Sequence, residues 1–276
     1  MALIHLDEPA PVPVPATRRI TMGAAELLVL QRSLPEMTLP DDIRVEVSEA
    51  AADLAGTDLD ELIAEAGSRL RDSGVLGPEG DPVDAVAANL QSVVAAPRRV
   101  RTTYGGPGID VLAYHWTGPT LGGSLVRDGE KFELSMFDSR GFGNEMLRLL
   151  PEQDVVEAGR AEITLPLEEF QTLTVIEDEI APEQVDPVAG FLGLEPAVVR
   201  AVQTWADGFR GALHCTVSDT DEHRPPKALV WVCERTGWWS AAPLTRADGN
   251  RSVTLAPRER RELTADLGYL TLGAWT

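Results

Sequence analysis

The stretch that decides the fold is Arg224–Thr276, RPPKALVWVCERTGWWSAAPLTRADGNRSVTLAPRERRELTADLGYLTLGAWT. It reads as three strands and a closing helix. Ala228–Glu234 is apolar at nearly every position. A strand wet on one face would alternate, so this one is expected to be covered on both faces. Arg235-Thr236-Gly237 supplies a tight turn into Trp238–Pro243, and Ala247-Asp248-Gly249-Asn250 a second, with Asp-Gly as the hairpin signal. Arg251–Leu255 is the third strand. Pro257 is then expected to open a helix, where its missing N–H costs nothing. Leu263, Leu267 and Leu270 fall on one face of that helix, with Arg258, Arg260 and Arg261 elsewhere as a solvated charge run.

Working outward, the same layout occurs twice. Residues 1–17 contain the proline-rich run DEPAPVPVPA and read as an extended lead-in that packs no core. Ile20-Thr21-Met22 leads into a helix over Gly23–Leu34, with Thr21 placed as its N-cap. Helices are expected at 46–55, at 58–73 with Gly74 as a stop, and at Val83–Ala95. Four strands follow at Arg98–Tyr104, Ile109–His115, Gly122–Arg127 and Lys131–Phe137. A short helix carrying Phe142, Met146, Leu149 and Leu150 ends at Pro151.

After an acidic connection at 152–160, Ile163-Thr164-Leu165 leads into a helix at Pro166–Leu173. Further helices are expected at 182–192 and 195–207, then strands at 210–218, 228–234, 238–243 and 251–255. Ile20/Ile163, Thr21/Thr164, Glu26/Glu169 and Leu30/Leu173 coincide in register. The order of elements therefore indicates an internal duplication, with halves at 18–151 and 160–276 and two sheets that can join into one.

The 276 residues are 43% hydrophobic, enough for one large domain or two fused halves. A net charge of −20 repels phosphate backbones and anionic lipid, so neither nucleic acid nor membrane is an expected partner. Cys215 and Cys233 are the only cysteines, which is no disulfide framework, and buried free thiols are expected. No apolar run suits a membrane span, no signal peptide is recognisable, and a cytoplasmic location is expected.

Signatures of chemistry are missing. There is no Gly-rich phosphate loop with a Lys, no HExxH pair, no zinc spacing of Cys and His, and no Gly-x-Ser-x-Gly elbow. No catalytic residue, cofactor or metal is therefore assigned. Asp219, Asp221, Glu222 and His223 could ligate a cation, but read better as turn formers in a hairpin loop. His115 and Asp110 share a strand at odd separation and point to opposite faces, so His115 reads as a rim or partner-contact residue. Gly141-Phe142-Gly143 reads as a strand-to-helix turn. Of Trp116, Trp205, Trp231, Trp238, Trp239 and Trp275, Trp231 is expected in the core. Trp238 and Trp239, adjacent on a strand, must face opposite ways. Trp116, next to the turn Thr117-Gly118-Pro119-Thr120, is divided evenly between core and contact.

With these elements in order, the chain resembles the EspG family of ESX (type VII) secretion-associated proteins. The resemblance rests on ITMGAAELLVLQRSL, on SRLRDSGVL and VAANLQSVVAAPRRVRTTY, on GGSLVRDGEKFELSMF, and on the ending from Ala228 to Leu270. It covers about residues 18–270. It implies an α+β fold: a twisted, mostly antiparallel central sheet flanked by helical bundles, in two pseudo-symmetric halves. It also implies a non-catalytic cytoplasmic chaperone that binds the helical-hairpin tip of a secreted client and hands it to the secretion machinery. That client would be a PE/PPE-like or WXG-type protein. In relatives the client surface involves the central sheet, the loop between the second and third strands, and the C-terminal helical bundle. By strand order that loop is Trp116, Thr117, Gly118, Pro119 and Thr120 here. Two other classes stand beside this one. An enzyme or small-molecule binder would have His115 or His214 beside a carboxylate in a deep pocket. The third is a purely structural partner within an acidic complex.

Overall fold

The structure is a computed structural model. It describes residues 17–34, 44, 59–96, 98–118, 120–152, 161–176, 181–219, 226–245 and 249–269. The proline-rich lead-in, the helix expected at 46–55, most of the acidic connection, Pro119, Asp221, Glu222, His223, Leu270 and Trp275 lie outside these residues.

The first half runs β1 (Arg18–Met22), α1 (Ala24–Ser33), α2 (Leu59–Asp72), α3 (Asp84–Ala95), β2 (Arg98–Gly106), β3 (Ile109–Thr117), β4 (Leu121–Asp128), β5 (Lys131–Asp138) and α4 (Phe142–Leu147). The second half repeats it. It comprises β6 (Ile163–Pro166), α5 (Leu167–Ile176), α6 (Val185–Leu192), α7 (Pro196–Asp207), β7 (Phe209–Asp219), β8 (Lys227–Glu234), β9 (Gly237–Thr245), β10 (Arg251–Arg258) and α8 (Arg260–Gly268). The eight strands expected in the two meanders all fall inside observed ones.

All ten strands form one antiparallel sheet in the order β1-β5-β4-β3-β2-β7-β8-β9-β10-β6. Each strand and the one numbered five higher occupy equivalent places either side of the β2–β7 pair. The two expected sheets are therefore one, with the pseudo-twofold axis at its centre.

Two helix starts differ from expectation. Thr21 does not cap α1; it pairs with Glu133 inside β1, and Gly23 takes the N-cap. There the Glu26 carboxylate accepts the Gly23 N–H at 2.5 Å. Pro257 does not open the last helix; it remains in β10 opposite Trp239. β6 pairs only with Ser252–Leu255. The far side of β10 at Pro257 therefore asks for no N–H, which is where a strand accepts proline. Helix α8 starts at Arg260, after Glu259 donates its N–H to Glu262 at 2.7 Å.

The sheet is covered differently on its two faces. On one face a single core crosses both halves. Val100, Tyr104, Val111, Ala113, Leu213, Cys215, Val217, Trp231 and Trp238 pack there beneath Phe142 and Met146 of α4 and Leu263 and Leu267 of α8. On the other face each half has its own core. Helices α1–α3 cover Leu112, Trp116, Leu125, Phe132 and Leu134. Helices α5–α7 cover Leu165, Val232, Trp239, Val253 and Leu255. Trp238 and Trp239 do face opposite ways, and each is buried in a different core. Strand β8 is buried on both faces from Trp231 to Glu234, as its apolar run implies, while its first half is more open.

Cys215 and Cys233 are both free and both buried in the shared core. Burial pushes their thiols up to about 12 and about 11, because a thiolate there would lose its hydration. A water-soluble thiol reagent is expected to label neither in the native protein and both after unfolding. Rapid native labelling would show that the shared core opens.

Candidate functional site

The part of the sheet left open lies on the β2–β7 seam. In register, Val100, Thr102 and Tyr104 oppose Val217, Cys215 and Leu213, and all six are buried on the shared-core face. Successive side chains alternate, so Arg99, Arg101, Thr103 and Gly105 project to the other face, opposite Ser218, Thr216, His214 and Ala212. This face is open: Arg101, His214 and Ser218 are exposed, and Thr103 and Thr216 are half-buried. The strip widens over Tyr114 on β3, whose hydroxyl accepts Arg101 Nε at 3.3 Å, and over Ala228 and Val230 on β8. The α1–α3 bundle bounds it on one side and the α5–α7 bundle on the other. A half-polar, half-apolar sheet surface of this kind suits a macromolecular partner better than a small ligand.

The β3–β4 loop is a tight turn, closed by the Gly118 N–H to Leu121 carbonyl bond at 2.8 Å. Of the two readings of Trp116, core and contact, the structure has the core. Its side chain is 3% exposed and its Nε1 donates to Ser92 Oγ on α3 at 3.0 Å. Trp116 pairs with Gly123, and a Cβ at Gly123 would lie 2.4 Å from its ring. The bare glycine makes the slot that admits the indole. Thr117 and Gly118 are half-buried, Thr120 is exposed, and the neighbouring Leu121 is exposed as well.

A residue that sequence reasoning passed over is Phe191, 89% exposed near the end of α6. Its signal was Phe191-Leu192-Gly193-Leu194, apolar residues running through the αL glycine that ends the helix, where a solvated turn would be polar.

His115 is also corrected. It lies at neither rim nor partner surface and is 1% exposed beneath α4. It heads a row of in-register neighbours, His115–Ser124–Ser135–Arg19, across β3, β4, β5 and β1. Glu145 of α4 closes the row, accepting Arg19 Nη2 and Arg148 Nη2, each at 2.8 Å, and Arg148 also reaches Glu133. Both His115 ring nitrogens and Ser124 Oγ lack a hydrogen-bond partner. Burial drives the imidazole down to about 4, against the opposing pull of the Glu145 carboxylate. His115 therefore sits neutral in a sealed core, and His214 stands on the open strip; neither is in a deep pocket. Among the described residues, no three His, Cys, Asp or Glu side chains are grouped to hold a metal. The arrangement can bind by area and shape.

A mostly antiparallel central sheet in two pseudo-symmetric halves, flanked by helical bundles, is the architecture that the resemblance to the EspG family implies, and the ten-stranded sheet has it. The same fold is seen in a solved structure, the Mycobacterium tuberculosis type VII secretion system chaperone EspG5 in complex with a PE25–PPE41 dimer. It matches with a TM-score of 0.60 and 15% identity, over 94% of this chain and 99% of that one. At that identity the match shows the fold. No protein-family model and no curated sequence matches the chain.

Two outcomes are expected. Gly123→Ala should force the Trp116 ring and Asn89 aside and cost about 1–3 kcal/mol, read as a lower urea midpoint. An unchanged midpoint would mean that Trp116 is loosely held. The second concerns pH. The folded state keeps His115 neutral down to about 4, whereas the unfolded chain takes up its proton near 6.5. The contribution of neutral His115 is thus intact above 6.5 and lost as the pH falls to 4, by about 3 kcal/mol. Urea midpoints of His115→Leu should be flatter across that window than those of the natural protein; parallel curves would contradict this.

Proposed function

We propose that this protein is a non-catalytic chaperone of a type VII secretion system, acting in the cytoplasm on a helical-hairpin client of PE/PPE or WXG type. One observation carries the reading. Over 94% of its length the chain shares its fold with a chaperone solved bound to a PE–PPE dimer, and the sheet surface between its bundles is open. In this reading the client's hairpin tip lies over the strip of Arg101, Thr103, His214 and Thr216, and Phe191, exposed on α6, offers a separate apolar contact. Thr117, Gly118 and Thr120 form a small rim, and Trp116 holds them in place from within. The net charge of −20 keeps the free chaperone soluble and gives it a preference for a client surface that is neutral or basic. The client must be released for export, so affinity is expected to be moderate and reversible.

The test is co-expression with the hairpin proteins encoded beside this gene, followed by size-exclusion chromatography. A stable complex that keeps an otherwise insoluble client in solution is expected. His214→Glu should weaken it about tenfold or more, as a residue near the centre of an interface does, and Phe191→Asp by less, with urea midpoints unchanged. If each neighbouring client is soluble alone and none binds, the reading falls and the likeness is one of fold only.

A further inference from the structure

The open strip carries the opposite charge to the chain as a whole. Overall, 44 acidic residues stand against 24 basic ones. Yet Arg99 and Arg101 of β2 both project to the strip, and both are exposed. They are two residues apart on one strand, so their guanidinium groups share a face. Two carboxylates project to this face from β2, β3, β7 and β8, and both are engaged. Asp110 accepts Arg127 Nη2 of β4 at 2.6 Å, and the buried Glu234 accepts Trp239 Nε1 at 3.0 Å. Among the described residues, no carboxylate is paired with Arg99.

The two arginines are set among hydroxyls. Across the β2–β7 seam Ser218 stands opposite Arg99 and Thr216 opposite Arg101. Arg101 Nε donates to the Tyr114 hydroxyl at 3.3 Å, which holds its guanidinium over the sheet. Beyond Thr216 the same rung ends in the exposed Ala228, and the next rung in the half-buried Val230. The strip is thus cationic on its β2 side and apolar on its β8 side.

We propose that the strip takes an acidic segment of a protein partner, with side-chain carboxylates seated on Arg99 and Arg101 and small apolar neighbours against Ala228 and Val230. A guanidinium offers paired N–H donors that match a carboxylate, and the hydroxyls of Ser218 and Thr216 can donate to its remaining lone pairs. The net charge of −20 acts at a different range. Salt screens exposed charges beyond about 8 Å. The net charge therefore selects the body that approaches, and the two guanidiniums select the segment that docks. The partner that fits is polarised, with a neutral or basic body and an acidic end. This rests on the chaperone reading for the strip as the client's seat, and adds the chemistry of the tip that it takes.

The probe is a dye-labelled designed two-helix hairpin peptide with glutamates at its tip, beside versions with glutamine and with lysine there, followed by fluorescence anisotropy on the intact protein. Saturable binding of the glutamate version is expected, about tenfold tighter than the glutamine version and weakening as salt rises. The lysine version should bind weakest, although the protein is acidic overall. Arg99→Gln with Arg101→Gln should abolish the preference for glutamate with the urea midpoint unchanged. Thr216→Glu, which keeps both arginines and sets a carboxylate across from Arg101, should also weaken the glutamate version, and it keeps the test alive if the double variant folds poorly. No saturation by the glutamate version, equal or tighter binding of the lysine version, or an unchanged preference in the double variant overturns the proposal. Natural clients that bind the double variant as well as the natural protein would sink it while leaving the chaperone reading standing. A glutamate preference that needs both arginines, with no neighbouring client bound, would do the reverse.

Discussion

The pairing of β2 with β7 is the constraint on which everything else hangs. It is the one seam that joins two meanders into a single sheet. Its register, Val100 opposite Val217 and Tyr104 opposite Leu213, decides which face of each half turns toward the shared core. Side chains repeat every two residues along a strand, so a slip of β2 by one residue against β7 would bury Arg101 and expose Tyr104. The shared core straddles the seam and is sealed by α4 and α8, one helix from each half. The open strip on the far side is the other consequence of the same register.

The duplication is kept where the sheet needs it and abandoned where it does not. Both halves retain a short outer strand, five residues in β1 and four in β6, lying along the last strand of the meander. Short outer strands, with Arg18 and Arg19 on one and Pro166 ending the other, offer little to an incoming strand. The helices diverge more freely. Arg69 ties α2 to α1 through Glu26, while Phe170 and Trp205 tie α5 to α7. Each bundle thus packs its own way over its half of the sheet.

The two meanders are legible in the sequence because their strands are long, apolar and separated by glycine turns such as Asp128-Gly129. The outer strands are not: Ile20-Thr21-Met22 and Ile163-Thr164-Leu165 are too short to show a period and run straight into helices. Pro257 misleads for a related reason, since its tolerance in β10 depends on where β6 stops. Of the candidate site, the central sheet is foreseen but its details are not. Trp116 is drawn inward by a glycine on the neighbouring strand. His115 disappears beneath a helix that is distant in sequence, and Phe191 gives only a local compositional hint. Each of these depends on a contact between elements, which periodicity along one element does not contain.

The seam also sets a timetable for synthesis. Thr102 and Cys215, neighbours across it, are 113 residues apart in the chain. Every meander pairing is local by comparison. Local pairings close early and distant ones late. As the ribosome releases the first half, its four-strand meander can form with the nine-residue β2 as an uncovered border. Strand β6 and helices α5–α7 must all be translated before β7 arrives to cover it. The strand that later forms the middle of the molecule is thus the nascent chain's most exposed template for wrong pairing.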